Sequence, residues 1–278
     1  MTQTDTVRDE RSEATSEPEM LYEKDGHIAT LTINRPERMN TISRDMLDQL
    51  GQVLLEADAD EEVRAIILTG KGRFFCAGLD LQAASDGEGI GGGSSRVTPT
   101  LDLRNTPPTV LHSLDTPTIC ALNGAAAGYG FDIAMGCDIR IAAEGAKLAA
   151  AFTKRGIVPE SGGTWLLPRM IGWAKASELI FTARTLEAEE AVEWGLVNHV
   201  VSAEELPTAA RELAQEIAGN APMAVQAAKR MMRTGLDETF DDHVHHVFLQ
   251  LLPLFQSEDF REGMQSFLEK RPAEFKGR

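Results

Sequence analysis

The chain has 278 residues, 42% of them hydrophobic and 25% charged, which suits one large α/β domain or two smaller ones. A formal net charge of −16, with no concentrated basic patch, argues against nucleic acid as a partner. No apolar run approaches the ~20 residues of a membrane-spanning helix, and Cys76, Cys120 and Cys137 lack metal-site spacing, so a cytoplasmic chain with reduced thiols and no membrane partner is expected.

Residues 1–19 are polar and acidic, without the apolar segment of a signal peptide, and read as a disordered leader. "HIATLTINRP" alternates apolar and polar residues, as a strand ended by Pro36 does. In "SRDMLDQLGQVLLEADAD" the apolar positions Met46, Leu47, Leu50, Val53, Leu54 and Ala57 have helical spacing, with Ser43 placed to cap the helix. "VRAIILTG" and "PTICALNG" are short apolar runs closed by glycine, the pattern of strands buried on both faces. "DIRIAAEGAKLAA" predicts a further strand pair. "SDGEGIGGGSSR" (85–96) is a surface loop, read either as an active-site flap or as a tolerated insertion. From about residue 200 the pattern turns helical, through "SAEELPTAARELAQEIAGN", Met223–Arg233, Phe240–Leu252 and Glu258–Lys270. An α/β core over 20–200 and a helical region over 201–278 follow from that shift.

Three segments are candidates for chemistry. "FFCAGLDLQ" (74–82) and "NGAAAGYGFDIAMGCD" (123–138) are rich in glycine, follow predicted buried strands and open toward helices. Backbone N–H groups in such places can face a ligand oxygen, and two that converge make an oxyanion hole. "GIVPESGGTW" (156–165) sets Glu160 between a proline and two glycines, either as a first-turn helix carboxylate or as a held catalytic group. Dinucleotide, phosphate-loop and nucleophile-elbow motifs are absent. "HVHH" (243–246) lacks further ligands at metal-site spacing and reads as a solvated helix face, and His112 and His199 read as structural.

"NRPERMNTIS", "GKGRFFCAGLDL", "ALNGAAAGYGFDIAMGCDIRIA", "GIVPESGGTWLLPRMIG" and "TARTLEAEEAVEWGLVNHVV" together resemble, in order and spacing, the crotonase superfamily of enoyl-CoA hydratases and isomerases. The terminal "FLEKRPAEFKGR" fits too, so the resemblance spans about residues 20–278. It implies an α/β fold, the crotonase (ClpP-like) spiral of ββα units, with a C-terminal helical trimerisation region. It also implies a homotrimer or dimer of trimers, an acyl-CoA thioester as substrate, and no metal or cofactor beyond the coenzyme A of that substrate.

Carried onto this sequence, the resemblance assigns the oxyanion-hole amides to Leu79 and Tyr129, the second of which is usually glycine in the family. A tyrosine ring there must point away from the ligand. The two hydratase carboxylates fall on Asp132 and Phe152, and a phenylalanine carries no proton, which disfavours two-carboxylate hydration. The "VPESGG" turn matches the base-bearing turn of Δ3,Δ2-enoyl-CoA isomerases, and with "WLLPR" it resembles the ring-opening isomerases of phenylacetyl-CoA breakdown. Glu160 is then the base and Asp132 an assisting acid or a first-turn helix carboxylate, with Phe152 on an apolar wall. Arg38, Met39, Cys76, Ala77, Gly78, Asp80, Leu81 and Gly128 fall in substrate- and CoA-binding segments, and Lys270 or Arg271 is a further basic candidate. Enoyl-CoA isomerisation is the expected activity. Hydration of a 2-enoyl-CoA in β-oxidation is the alternative, and a hydrolase, a dehalogenase or a non-catalytic acyl-CoA binder stand behind it. The net charge opposes an RNA-binding relative.

Overall fold

The computed structural model describes residues 17–80, 105–159 and 161–278. In chain order these form β1 (Met20–Asp25), β2 (Ile28–Ile33), α1 (Arg44–Ala59), β3 (Ala65–Gly70), β4 (Phe74–Cys76) and α2 (Pro107–Ser113). β5 (Thr118–Leu122), β6 (Ala125–Ala127), α3 (Tyr129–Gly136), β7 (Ile139–Ala143), β8 (Lys147–Ala149) and α4 (Gly163–Thr182) follow. The chain continues through β9 (Thr185–Glu187), α5 (Ala188–Trp194), β10 (His199–Val201), α6 (Leu206–Ala218), α7 (Pro222–Thr234), α8 (Phe240–Gln256) and α9 (Glu258–Glu269). The leader residues 1–16, the 85–96 loop, Leu81 and Glu160 lie outside the described residues.

Two sheets organise the described residues. One has the strand order β1-β2-β3-β5-β7-β10, the other β4-β6-β8-β9. From β3 onward the chain lays one strand in the first sheet and the next in the second, then repeats, as β5-β6-α3 and β7-β8-α4 make plain. This is a spiral of ββα units. Among the described residues the strand pairings are parallel except β1 with β2 and β8 with β9. Parallel strands covered on both faces must be apolar throughout, which is why "AIILTG" and "TICAL" are continuous runs rather than alternating ones. β1 is the edge of the larger sheet and carries Glu23, Lys24 and Asp25, charges that discourage pairing with another chain.

The main core lies between the sheets and under α1 and α3, with Leu31, Leu50, Leu68, Phe75, Phe131 and Phe152 among its buried side chains. Each such leucine or phenylalanine contributes about 1.5–3 kcal/mol of burial. A second cluster covers the opposite face of the larger sheet, where Ile67, Ile119 and Ile141 meet Leu206, Ala210 and Ala214 of α6. The first helix of the predicted 201–278 region is thus a layer over the sheet, because its alanine stripe lets it approach the strands closely.

Two other expectations change. The strands predicted within "DIRIAAEGAKLAA" exist but do not pair, since β7 joins the larger sheet and β8 the smaller. Residues 17–19, expected in the leader, are bonded to the end of β2. Asn34 donates its backbone N–H to the Glu19 carbonyl at 2.7 Å and its side-chain amide to the Pro18 carbonyl at 2.8 Å.

Ser43 caps α1 as expected, its side chain accepting from the Met46 N–H at 3.3 Å. Replacing Ser43 by alanine should cost about 1 kcal/mol. A urea titration should show a lower midpoint with an unchanged m-value.

Candidate active site

The two glycine-rich segments converge because β4 and β6 are neighbours, with Phe74 opposite Ala125 and Cys76 opposite Ala126. Parallel strands point the same way, so the chain leaves both at the same end of the smaller sheet. Gly78 sits there at φ 109°, a conformation side chains rarely adopt, and a Cβ on it would lie 2.9 Å from the Ala127 carbonyl oxygen and 3.6 Å from the Tyr129 nitrogen. The segment carrying Leu79 therefore lies directly against the start of α3.

The other side of that segment bonds to Ile42. The Ile42 N–H donates to the Gly78 carbonyl and the Asp80 N–H to the Ile42 carbonyl, each at 2.9 Å. Groups alternate along extended backbone, so the Leu79 N–H points away from Ile42. Tyr129 opens α3 after Gly128, in the first turn, where helix amides have no partner inside the helix and the dipole is positive. Its side chain is buried in the main core.

Asp132 lies one turn further along α3 and is 1% exposed. Its carboxylate faces the turn before α4: the Ser161 N–H donates to Oδ2 at 3.4 Å, and a Cβ on Gly163 would stand 2.5 Å from Oδ1. Pro159 and Ser161, the neighbours of Glu160, are both buried. Thr106, which precedes α2, donates its hydroxyl to that of Ser161 at 3.2 Å, so a third element holds the turn. Phe152 follows β8, whose Ala149 carbonyl accepts from the Gly128 N–H at 3.0 Å, and is buried in the core.

Gly78, Leu79, Gly128, Tyr129 and Asp132 thus gather at one place. Arg38, Met39, Ala77 and Asp80 sit in the adjoining loop contact, where the Ala77 N–H donates to the Met39 carbonyl at 3.1 Å. The Arg38 side chain is half exposed and reaches Asp80 at 3.6 Å. Cys76 is buried, and burial pushes its thiol up to about 12. Among the described residues no three His, Cys, Asp or Glu side chains group as metal ligands, and His243 and His246 instead meet the Glu238 carboxylate. Sequence reasoning did not find Arg35, whose guanidinium pairs with Asp80, or the Thr106–Ser161 contact. Neither has a local pattern to reveal it.

Residues 23–278 match the family described as enoyl-CoA hydratase/isomerase. The chain belongs to that family. It is 39% identical to the short-chain-enoyl-CoA hydratase of Clostridium acetobutylicum, over 93% of this chain and 98% of that one. It is equally 39% identical to the 1,2-epoxyphenylacetyl-CoA isomerase of Escherichia coli, over 90% of this chain and 95% of that one. An enoyl-CoA hydratase from Bacillus anthracis superposes with a TM-score of 0.86 at 33% identity, covering 94% of this chain and all of that one. The α/β spiral is therefore the crotonase fold, and the family is one of acyl-CoA-processing enzymes.

Two outcomes check this geometry. Cys76 in the folded protein should resist iodoacetamide at pH 8, since its thiolate is suppressed and its sulfur buried; alkylation before unfolding would contradict the placement. Gly163→Ala should destabilise the fold by about 1–3 kcal/mol, and the loss should be smaller when Asp132→Ala is already present, as a thermal double-mutant cycle would show.

Proposed function

We propose that this family member is an enoyl-CoA isomerase, with Glu160 as the base and the Leu79 and Tyr129 amides stabilising a thioester enolate. The observation that carries this reading is Phe152, an apolar side chain where the resemblance puts the second hydratase carboxylate, and one buried in the core. Glu160 removes a proton from C2 of a 3-enoyl thioester, and the electron pair delocalises onto the thioester oxygen as a dienolate. The Leu79 and Tyr129 N–H groups stabilise that oxygen as its charge forms. The protonated Glu160 then returns the proton to C4, leaving the double bond between C2 and C3. Water takes no part, and the reaction needs no metal or redox cofactor. Arg38, half exposed beside the site, suits the anionic phosphates of coenzyme A.

A second reading is hydration of a 2-enoyl-CoA. It is favoured by one observation, the buried carboxylate of Asp132 turned toward the Ser161–Gly163 turn. Assembly as a homotrimer or dimer of trimers is part of the proposal, supported by the apolar side chains Phe240, Phe248, Phe255 and Phe267 that α8 and α9 leave exposed. So is a cytoplasmic location, which the three free cysteines favour.

The test uses wild type, Glu160→Gln and Asp132→Asn with 3-hexenoyl-CoA and crotonyl-CoA, with products followed by chromatography. Isomerisation of the 3-enoyl thioester is expected, with a loss of roughly 10²–10⁴ in kcat for Glu160→Gln. Preferential hydration of crotonyl-CoA, impaired more by Asp132→Asn than by Glu160→Gln, would sink the isomerase and install the hydratase.

A further inference from the structure

The Leu79 amide stands on a short stretch of backbone, Ala77–Asp80, that belongs to neither a helix nor a named strand. Something outside it must fix its orientation. The loop from Arg35 to Ile42 does so by backbone pairing: Met39 accepts from Ala77, and Ile42 bonds Gly78 and Asp80, one on each side of Leu79.

That loop is itself in an unusual conformation. Met39 and Asn40 both have φ 54°, two successive residues other than glycine in the left-handed region. Such backbone persists only where its surroundings over-determine it. Asn40 supplies part of the restraint. It is wholly buried, its side-chain amide donates to the Lys71 carbonyl at 3.0 Å and the Phe74 carbonyl at 2.6 Å, and its oxygen accepts from the Arg35 N–H at 2.9 Å.

Arg35 supplies the rest. Its side chain is only 11% exposed, and its guanidinium reaches oxygens in three separate parts of the chain. Nη1 donates to the Thr41 carbonyl at 2.9 Å, Nη2 to Asp80 Oδ2 at 3.3 Å, and Nε meets Glu19 Oε1 at 3.0 Å. Thr41 is in the loop, Asp80 follows Leu79, and Glu19 leads into β1. A planar fork with fixed donor directions can hold three such acceptors at once, whereas a lysine ammonium is a point charge on a flexible stem. Arg38 also approaches Asp80, but at 3.6 Å and from a half-exposed position, where screening weakens it.

We propose that Arg35 is a positioning residue for the oxyanion hole, holding the Leu79 N–H in its direction by clamping Asp80 to the 35–42 loop. This rests on the reading that the Leu79 amide stabilises the thioester oxygen, and it holds equally for isomerisation and hydration, which share that need. A displacement of the amide by ~1 Å is enough to cost roughly 10²-fold in rate. The effect falls on kcat rather than KM, because the developing oxyanion needs the amide more than the bound substrate does.

The test has a kinetic arm and an arm that needs no turnover. Arg35→Lys, Arg35→Gln, Asp80→Asn and the Arg35→Gln/Asp80→Asn pair are compared with wild type on whichever of the two thioesters it converts. Arg230→Gln is the control, since Arg230 likewise pairs with a carboxylate, that of Asp115, and its bonds run to Asp115 and Gln250 rather than to the 35–42 loop or Asp80. Arg35→Lys should keep its fold by circular dichroism yet lose roughly 10–100-fold in kcat, with KM changed far less. The paired substitution should be no worse than the poorer single one. Hydrogen exchange read on the peptide spanning Phe74–Asp80 should quicken in the Arg35 variants and not in Arg230→Gln. Unchanged exchange there, or a kcat loss no larger than that of Arg230→Gln, would overturn the proposal. If wild type converts neither thioester, the functional reading has failed, and exchange alone then decides whether Arg35 holds the segment.

Discussion

β4 and β6 are three residues each, and their parallel pairing is the join on which the site depends. Strands this short contribute few ladder bonds, so their register needs help from outside. Two asparagines give it, Asn40 fully buried and Asn123 half-buried. The Phe74 carbonyl accepts from Asn40 at 2.6 Å and from Asn123 at 3.1 Å, while Asn123 also donates to the Gly72 carbonyl at 2.8 Å and accepts from the Gly70 N–H at 3.0 Å. One residue comes from the loop before α1 and the other from the turn between β5 and β6. Together they fix how the chain turns out of β3 into β4, and hence where Gly78 and Leu79 emerge beside Tyr129.

The same logic governs α3, whose first turn carries the Tyr129 amide. Its start is tied down by the Gly128 N–H, which donates to the Ala149 carbonyl at 3.0 Å. Its far end is held by Arg140, a buried cation that donates to the carbonyls of Leu196 at 2.5 Å, Cys137 at 2.6 Å and Ala134 at 3.3 Å. Burial pulls the Arg140 guanidinium below its ordinary pKa, a cost that the ring of carbonyls at a helix C-terminus offsets. An eight-residue helix restrained at both ends has little freedom to tilt, so the direction of its first amides is set by residues well away from them.

How much of this was legible depended on whether the signal was local. The cap at Ser43, the helical stripe of Met46, Leu50 and Leu54, and the unbroken apolar runs of β3 and β5 all followed from spacing within a few residues. β6 did not, because Ala-Ala-Ala has no β propensity and forms a strand only by pairing with β4 and β8. The glycine segments could be picked out, but their convergence is a property of strand order. Arg35 and Asp80 are 45 residues apart, and nothing near either one announces the other. Long-range polar contacts of this kind leave no periodicity to read.

Asp132 shows how such a contact constrains chemistry as well as fold. Its carboxylate occupies the gap left by the missing side chain of Gly163, with Oδ1 only 2.5 Å from where a Cβ would stand, and the Pro159 ring closes the same gap at 2.8 Å. A glutamate on α3 at this point would have to fit one more methylene into that space, or push the Pro159–Gly163 turn outward. The short carboxylate and the glycine are therefore matched in size. They bind the helix that opens with Tyr129 to the Pro159–Gly163 turn, so the distance between these two parts of the chain is set by one buried contact rather than by two independent loops.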